Sequence, residues 1–172
     1  SYRHSDLAFG ANAKEGVGVD WPIRYAHLAP WYSDVEKWIG VSGQTEGLPQ
    51  LPDGDFQPPM EMNVVEKDLK AKVESRFSER RVTIGRAAHL TKPTAEQMKI
   101  GRGQCQSRNL CMRGCSFGAY FSSNGVTLVA AAQSGNMTLQ PDSVVTEILF
   151  DKGTNKATGV RVLNAETRTE TE

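Results

Sequence analysis

The chain has 172 residues, and its 20 Lys and Arg are matched by 20 Asp and Glu, so the formal net charge is zero. Because binding to a phosphate backbone relies on an excess of basic residues, this balance argues against a nucleic-acid partner. Hydrophobic residues make up 38% of the chain and charged residues 23%, which is typical of a folded globular protein. No run is long and apolar enough to predict a transmembrane segment.

The first strongly periodic element covers residues 28–39, where apolar side chains recur at helical spacing. Pro30 suits the first turn of this helix, and Gly40 supplies its end. Large aromatic residues lie on one face of it, including Trp31 and Trp38. Such side chains usually pack in a core, and we predict that they do so here.

Less regular segments follow. Residues 41–61 contain four prolines and three glycines without a periodic pattern, and they predict a long loop that covers a site or joins two subdomains. An amphipathic helix laid on the surface of a core is expected at residues 62–77. Residues 80–88 predict a strand, and residues 94–98 predict a short helical turn.

The C-terminal part combines one helix with strands. Residues 123–134 predict a buried helix that Gly135 ends. Strands are expected at residues 144–150 and 158–163, and the residues between them have the composition of a hairpin connection. We therefore predict an α+β fold in which amphipathic helices pack on a small, mostly antiparallel sheet.

All three cysteines of the chain, Cys105, Cys111 and Cys115, fall within eleven positions. Three thiolates this close in sequence can converge on a metal ion, or on an iron–sulfur cluster that has one corner without a cysteine. An odd number of cysteines fits a pure disulfide framework badly. The alternative interpretations are inert buried thiols, or one disulfide beside a free thiol. Zinc would need a fourth ligand, and the nearest candidate is His89.

Other catalytic motifs are missing from the chain. No Gly-x-Gly-x-x-Gly unit follows a predicted strand, and no Gly-x-Ser-x-Gly nucleophile elbow occurs. The three histidines, His4, His27 and His89, have no carboxylate or serine partner at a recognisable spacing. We therefore expect surface or packing histidines rather than catalytic bases.

Several segments together resemble one family. Residues 20–40, which begin Asp-Trp-Pro, resemble the tryptophan-proline, tyrosine, leucine and glutamate pattern of the glucose-methanol-choline (GMC) oxidoreductases. Residues 114–119, 135–139 and 157–160 are similar to the segment in which that family leaves its substrate domain and re-enters its FAD domain. These matches keep the family's order and extend from about residue 20 to residue 163.

The resemblance implies a flavoprotein that oxidises CH–OH groups of alcohols, sugars or polyols by hydride transfer to FAD. It implies an incomplete part of the FAD-linked GMC fold, in which residues 1–122 belong to the substrate or cap domain. That part holds the long loop 41–61 and the cysteine loop 101–118, and residues 123–172 form a helix and a β-meander that return to the FAD domain. It also implies a backbone contact between Val145 and the adenine of FAD.

The cysteine spacing resembles that of the large subunits of sugar and polyol dehydrogenases, which hold a three-iron, four-sulfur (3Fe-4S) cluster. The resemblance implies that Cys105, Cys111 and Cys115 each supply one thiolate, and that electrons pass on to a cytochrome or small-subunit partner. No residue here matches the family's catalytic histidine, so no catalytic residue is assigned and the fragment alone is expected to be inactive. The alternative is a noncatalytic metal-binding or protein-interaction module with a structural cysteine loop.

Overall fold

The computed structural model describes residues 2–172, which form two compact units. The first unit ends at Ala130, and the second is Ala131–Glu172. The division that the sequence suggests, between residues 122 and 123, falls shortly before this boundary and stays a prediction. The described residues contain α-helices and one antiparallel sheet, which confirms the α+β class. No described helix is long and apolar enough to cross a membrane.

The described residues contain five α-helices. They are α1 (Asp6–Lys14), α2 (Tyr25–Ile39), α3 (Val64–Arg76), α4 (Ala95–Lys99) and α5 (Leu128–Gln133). A 3-10 turn at Cys111–Arg113 lies in the cysteine loop, and a π-helical turn at Ser123–Thr127 precedes α5. Sequence analysis did not predict α1, because its apolar residues have almost no helical periodicity, although Phe9 is buried.

Helix α2 confirms the predicted helix and its end, because Gly40 takes a left-handed conformation with φ of 73°. The helix begins earlier than predicted, so Pro30 lies inside it and not in its first turn. The earlier start has a local cause. The backbone N–H of Arg24 donates to Nδ1 of His27 at 3.2 Å, as part of a capping box at this N-terminus.

The prediction that the aromatic face of α2 packs in a core is wrong for the described residues. Trp31 is 67% exposed and Trp38 is 44% exposed, whereas Glu36 is the buried residue of the helix. The core of the first unit instead contains Val41 and Leu90, which lie outside the helices and have no exposed surface. A polar residue is buried in α2 because it has a buried cationic partner, which sequence periodicity does not report.

The predicted long loop 41–61 is confirmed, since it contains neither helix nor strand. It is held by isolated bridges, in which Ser42 pairs with Gln57 and with Ala87. The strand predicted at residues 80–88 is wrong, because only Ala87 makes a bridge. The rest of that segment has no strand beside it among the described residues. Its alternating apolar residues therefore do not form part of a sheet.

The remaining helix predictions are right in position, and two of them are wrong in burial. Helix α3 buries no residue, and Val65 on its predicted inner face is 75% exposed. The short helical turn after residue 93 is confirmed as α4. The helix predicted at residues 123–134 forms as a π-helical turn followed by α5, and Gly135 follows it with φ of 71°, but only Val126 is buried.

The second unit contains a three-stranded antiparallel sheet in the order β1 (Ser143–Asp151), β2 (Lys156–Asn164) and β3 (Glu170–Thr171). The predicted strands and their hairpin are confirmed. The Asp151 carboxylate fixes the turn, since it accepts from the Gly153 N–H and the Thr154 hydroxyl, each at 2.8 Å. Strand β1 has one neighbour, so its other edge has no strand partner within the described sheet.

Candidate functional site

Backbone hydrogen bonds close the cysteine loop, residues 101–118, at its base. The N–H of Gly103 donates to the carbonyl of Phe117 at 2.6 Å, which joins the two ends of the loop. The N–H of Cys105 donates to the carbonyl of Leu90 at 2.7 Å, and the N–H of Leu90 donates to the carbonyl of Ala119 at 3.0 Å. The loop is therefore anchored on a fully buried core residue.

The three cysteines line one cleft within this loop, which we call the cysteine cleft. Cys105, Cys111 and Cys115 are half-buried, and none of them forms a disulfide within the described residues. No group of three or more His, Cys, Asp or Glu side chains among residues 2–172 is arranged to hold a metal ion. The fold thus brings the three thiols to one cleft without closing them around one point.

The environment of Cys115 favours its thiolate. Burial alone would raise the pKa of this thiol, but the backbone N–H groups of Tyr120, Phe117 and Ala119 and the guanidinium of Arg108 favour the charged form. The pKa of Cys115 therefore lies below its usual range. A thiolate is the form that binds metals and attacks electrophiles.

His89 does not join the cysteines. Its ring packs against Tyr120, with ring centroids 5.0 Å apart, and neither of its buried ring nitrogens makes a hydrogen bond within the described residues. Burial lowers the pKa of His89, so the ring is neutral near pH 7. The expectation of a packing histidine fits this arrangement, and His89 does not supply a fourth ligand beside the three thiols.

Val145 lies in β1 opposite Val162, just before an irregularity in the strand pairing, and its side chain is 56% exposed. The free edge of β1 leaves backbone donors and acceptors without a sheet partner, and such an edge can bind a base or another strand. The structure places Val145 in the second unit and the cysteine cleft in the first. It does not bring the two predicted sites together within one unit.

Sequence analysis missed Arg102, which is only 2% exposed. Its Nε donates to the carbonyl of Gly118 at 3.0 Å, and Nη2 donates to the carbonyl of Ala119 at 3.3 Å. The same guanidinium donates to the carbonyls of Trp38 at 3.2 Å and Ile39 at 2.9 Å, in the last turn of α2. The available sequence signal was an arginine between two glycines, three residues before the first cysteine.

Comparison with known proteins decides the family, because a GMC oxidoreductase family model matches residues 17–172. The chain belongs to the GMC oxidoreductase family. It is 30% identical over 126 residues to paromamine 6'-oxidase of Streptomyces fradiae, covering 73% of this chain and 21% of that protein. It is 29% identical over 147 residues to the fructose dehydrogenase large subunit of Gluconobacter japonicus, covering 84% of this chain and 26% of that protein.

These matches confirm the family resemblance on which the sequence analysis relied. The chain spans between a fifth and about a quarter of the length of the two GMC relatives that it matches. Both relatives are oxidoreductases by name. The matched region includes the cysteine loop and the sheet, so both predicted sites lie within the family domain.

Proposed function

We propose that the chain is part of an FAD-dependent oxidoreductase that oxidises a CH–OH group of an alcohol or sugar and delivers electrons through a 3Fe-4S cluster. The observation that carries the proposal is a chain of the GMC family whose three cysteines, all free, line one cleft. Similarity to a fructose dehydrogenase large subunit supports a sugar as the substrate. The word "subunit" in that name supports a small-subunit or cytochrome partner that receives the electrons.

The donor set fits an iron–sulfur cluster better than a zinc ion. Cys105, Cys111 and Cys115 would each supply one thiolate, whereas structural zinc sites almost always need four protein ligands. The residues that line the cysteine cleft include these three cysteines and no His, Asp or Glu. The N–H groups that favour the Cys115 thiolate are the kind of donors that stabilise cluster sulfurs. When bound, the cluster would carry electrons one at a time.

Flavin binding would depend mainly on residues outside this chain. We propose that the backbone of Val145, on the strand with a free edge, contacts the adenine of FAD. The chain has no glycine-rich phosphate-binding unit after a strand and no candidate catalytic base. When bound, FAD would accept the hydride from the substrate. We therefore propose that the isolated chain binds FAD weakly or not at all and oxidises no alcohol.

The proposal is tested on the full-length protein, purified without oxygen. Chemical analysis should find about three iron and four acid-labile sulfide per polypeptide, and the flavin absorption spectrum should be present. Residues 1–172 alone, incubated with FAD and then separated from unbound FAD by gel filtration, should carry no stoichiometric flavin. A Cys111→Ser variant should lose most of the iron, because one thiolate is removed from the donor set.

The matched control is Met112→Leu, which changes the neighbouring side chain, one that is 89% exposed in the same loop. This variant should keep the iron and sulfide of the unmodified protein. Absence of iron and sulfide from the unmodified protein would refute the cluster. Iron content that Cys111→Ser leaves unchanged would refute the cysteine assignment.

A further inference from the structure

Arg102 carries a buried positive charge that no carboxylate neutralises within residues 2–172. The guanidinium donates to four backbone carbonyls, those of Gly118, Ala119, Trp38 and Ile39. These carbonyl dipoles, two of them at the negative end of α2, ease the burial of the guanidinium but leave its net charge in place. Arginine is almost never fully buried without a charged partner.

Arg102 and Cys115 are linked through the backbone of Gly118. The N–H of Gly118 donates to the carbonyl of Cys115 at 3.0 Å, and the carbonyl of Gly118 accepts from Nε of Arg102 at 3.0 Å.

The backbone approaches position 118 closely, so a side chain there would be strained. Gly118 has φ of 59°, and a Cβ added there would lie 3.3 Å from the Cα of Arg102 and 3.3 Å from the carbonyl oxygen of Gly101. Both features favour glycine. The guanidinium is thus held against the backbone of Gly118, three residues after the third cysteine, and it is almost fully buried.

We propose that Arg102 is a positioning residue whose fixed charge raises the reduction potential of the cluster in the cysteine cleft. The inference rests on the proposed function. Reduction would add one electron, supplied by reduced FAD of the same protein, and that electron would leave to a one-electron acceptor. Each added electron increases the negative charge near Arg102, and a cation at a poorly solvated position stabilises the reduced form.

The test is a redox titration of the full-length protein, with dithionite as reductant, ferricyanide as oxidant and EPR as the readout. Arg102→Met should lower the equilibrium constant for one-electron reduction at least tenfold, which is about 59 mV. Arg102→Lys keeps the charge and should stay within about threefold of the unmodified protein. Arg113→Met removes an exposed charge from the same loop and should also stay within about threefold, because water screens it.

Several outcomes would overturn the inference. One is an Arg102→Met variant that keeps its iron and has a potential within about threefold of the unmodified protein. If Arg102→Met loses its iron, Arg102→Lys decides, since retained iron at an unchanged potential supports the role of the charge. Loss of iron in both variants would show that the guanidinium only holds the backbone.

Iron missing from the unmodified protein would refute the proposed function as well. A cluster that is present, and whose reduction potential does not change in Arg102→Met, would refute this inference alone.

Discussion

Arg3 and Glu36 form an ion pair that is almost fully buried, with Nη2 and Oε2 2.6 Å apart and each side chain 3% exposed. A second hydrogen bond, from Nε to Oε1 at 3.1 Å, makes the contact bidentate. The hydrogen bond to Glu36 raises the pKa of Arg3 above its usual range, against the effect of burial. The pair joins the N-terminal segment to α2.

Breaking this ion pair should destabilise the first unit strongly. Glu36→Gln leaves a buried guanidinium without a counter-charge, and the free energy of unfolding should fall by about 3–5 kcal/mol. Urea unfolding followed by tryptophan fluorescence measures the change. The matched control is Asp68→Asn, which removes an exposed partner of Lys72 and should cost less than about 1 kcal/mol. Equal decreases in the free energy of unfolding in the two variants would contradict a stronger contribution from the buried ion pair.

The carboxylate of Asp53 should make stability depend on pH. Burial would raise the pKa of Asp53, but the N–H groups of Glu46 and Gly47 and the guanidinium of Arg86 lower it below its usual 3.8. Because the pKa is lower in the folded state, this stabilisation is present above the unfolded pKa and is lost as the pH falls through the folded pKa. Stability should therefore be greater at pH 7 than at pH 3.

The variant Asp53→Asn tests this dependence. At pH 7 it should lower the free energy of unfolding by about 1–3 kcal/mol, and the difference from the unmodified protein should shrink below pH 4. Unfolding in urea at a series of pH values gives the comparison. Asp142→Asn, at an exposed carboxylate, is the control and should show no such convergence. A pH-independent effect of Asp53→Asn would show that packing, not charge, is responsible.

Substitution of Gly118 should strain the base of the cysteine loop. Gly118→Ala forces a side chain into a left-handed conformation against the backbone at Arg102, and stability should fall by about 1–2 kcal/mol. Thermal unfolding and iron content of the full-length protein measure the effect. Gly85→Ala adds a methyl group where no atom lies within 4 Å, so it should leave both quantities unchanged. Loss of iron in both variants would show that strain at position 118 is not the cause.

Helix α3 should depend on its cap, because it buries no residue. The Asn63 side chain accepts from the Glu66 N–H at 2.9 Å, and the Asn63 N–H donates to the Glu66 carboxylate at 2.7 Å. Asn63→Ala removes the first of these bonds and should cost about 0.5–2 kcal/mol of helix stability. Circular dichroism should show a loss of helical signal. Lys67→Ala, in the same exposed helix, is the control and should keep the signal.

The sequence predicted elements that local patterns determine and missed those that depend on distant partners. The hairpin formed as expected because alternation and turn residues such as Asp151 act over a few positions. The strand expected at residues 80–88 failed because only Ser42, far away in the chain, pairs with it at Ala87. The cysteines were found by spacing, whereas Arg102 was missed because its burial is created by tertiary contacts.

The closed base of the cysteine loop has an evolutionary consequence. Its ends are joined by main-chain groups, at Gly103 with Phe117 and at Cys105 with Leu90, and such bonds form whatever side chains the intervening positions carry. Substitutions and length changes between these anchor points can therefore accumulate without disturbing the interior. The thiols could therefore be gained or lost in evolution while the base of the loop stays closed.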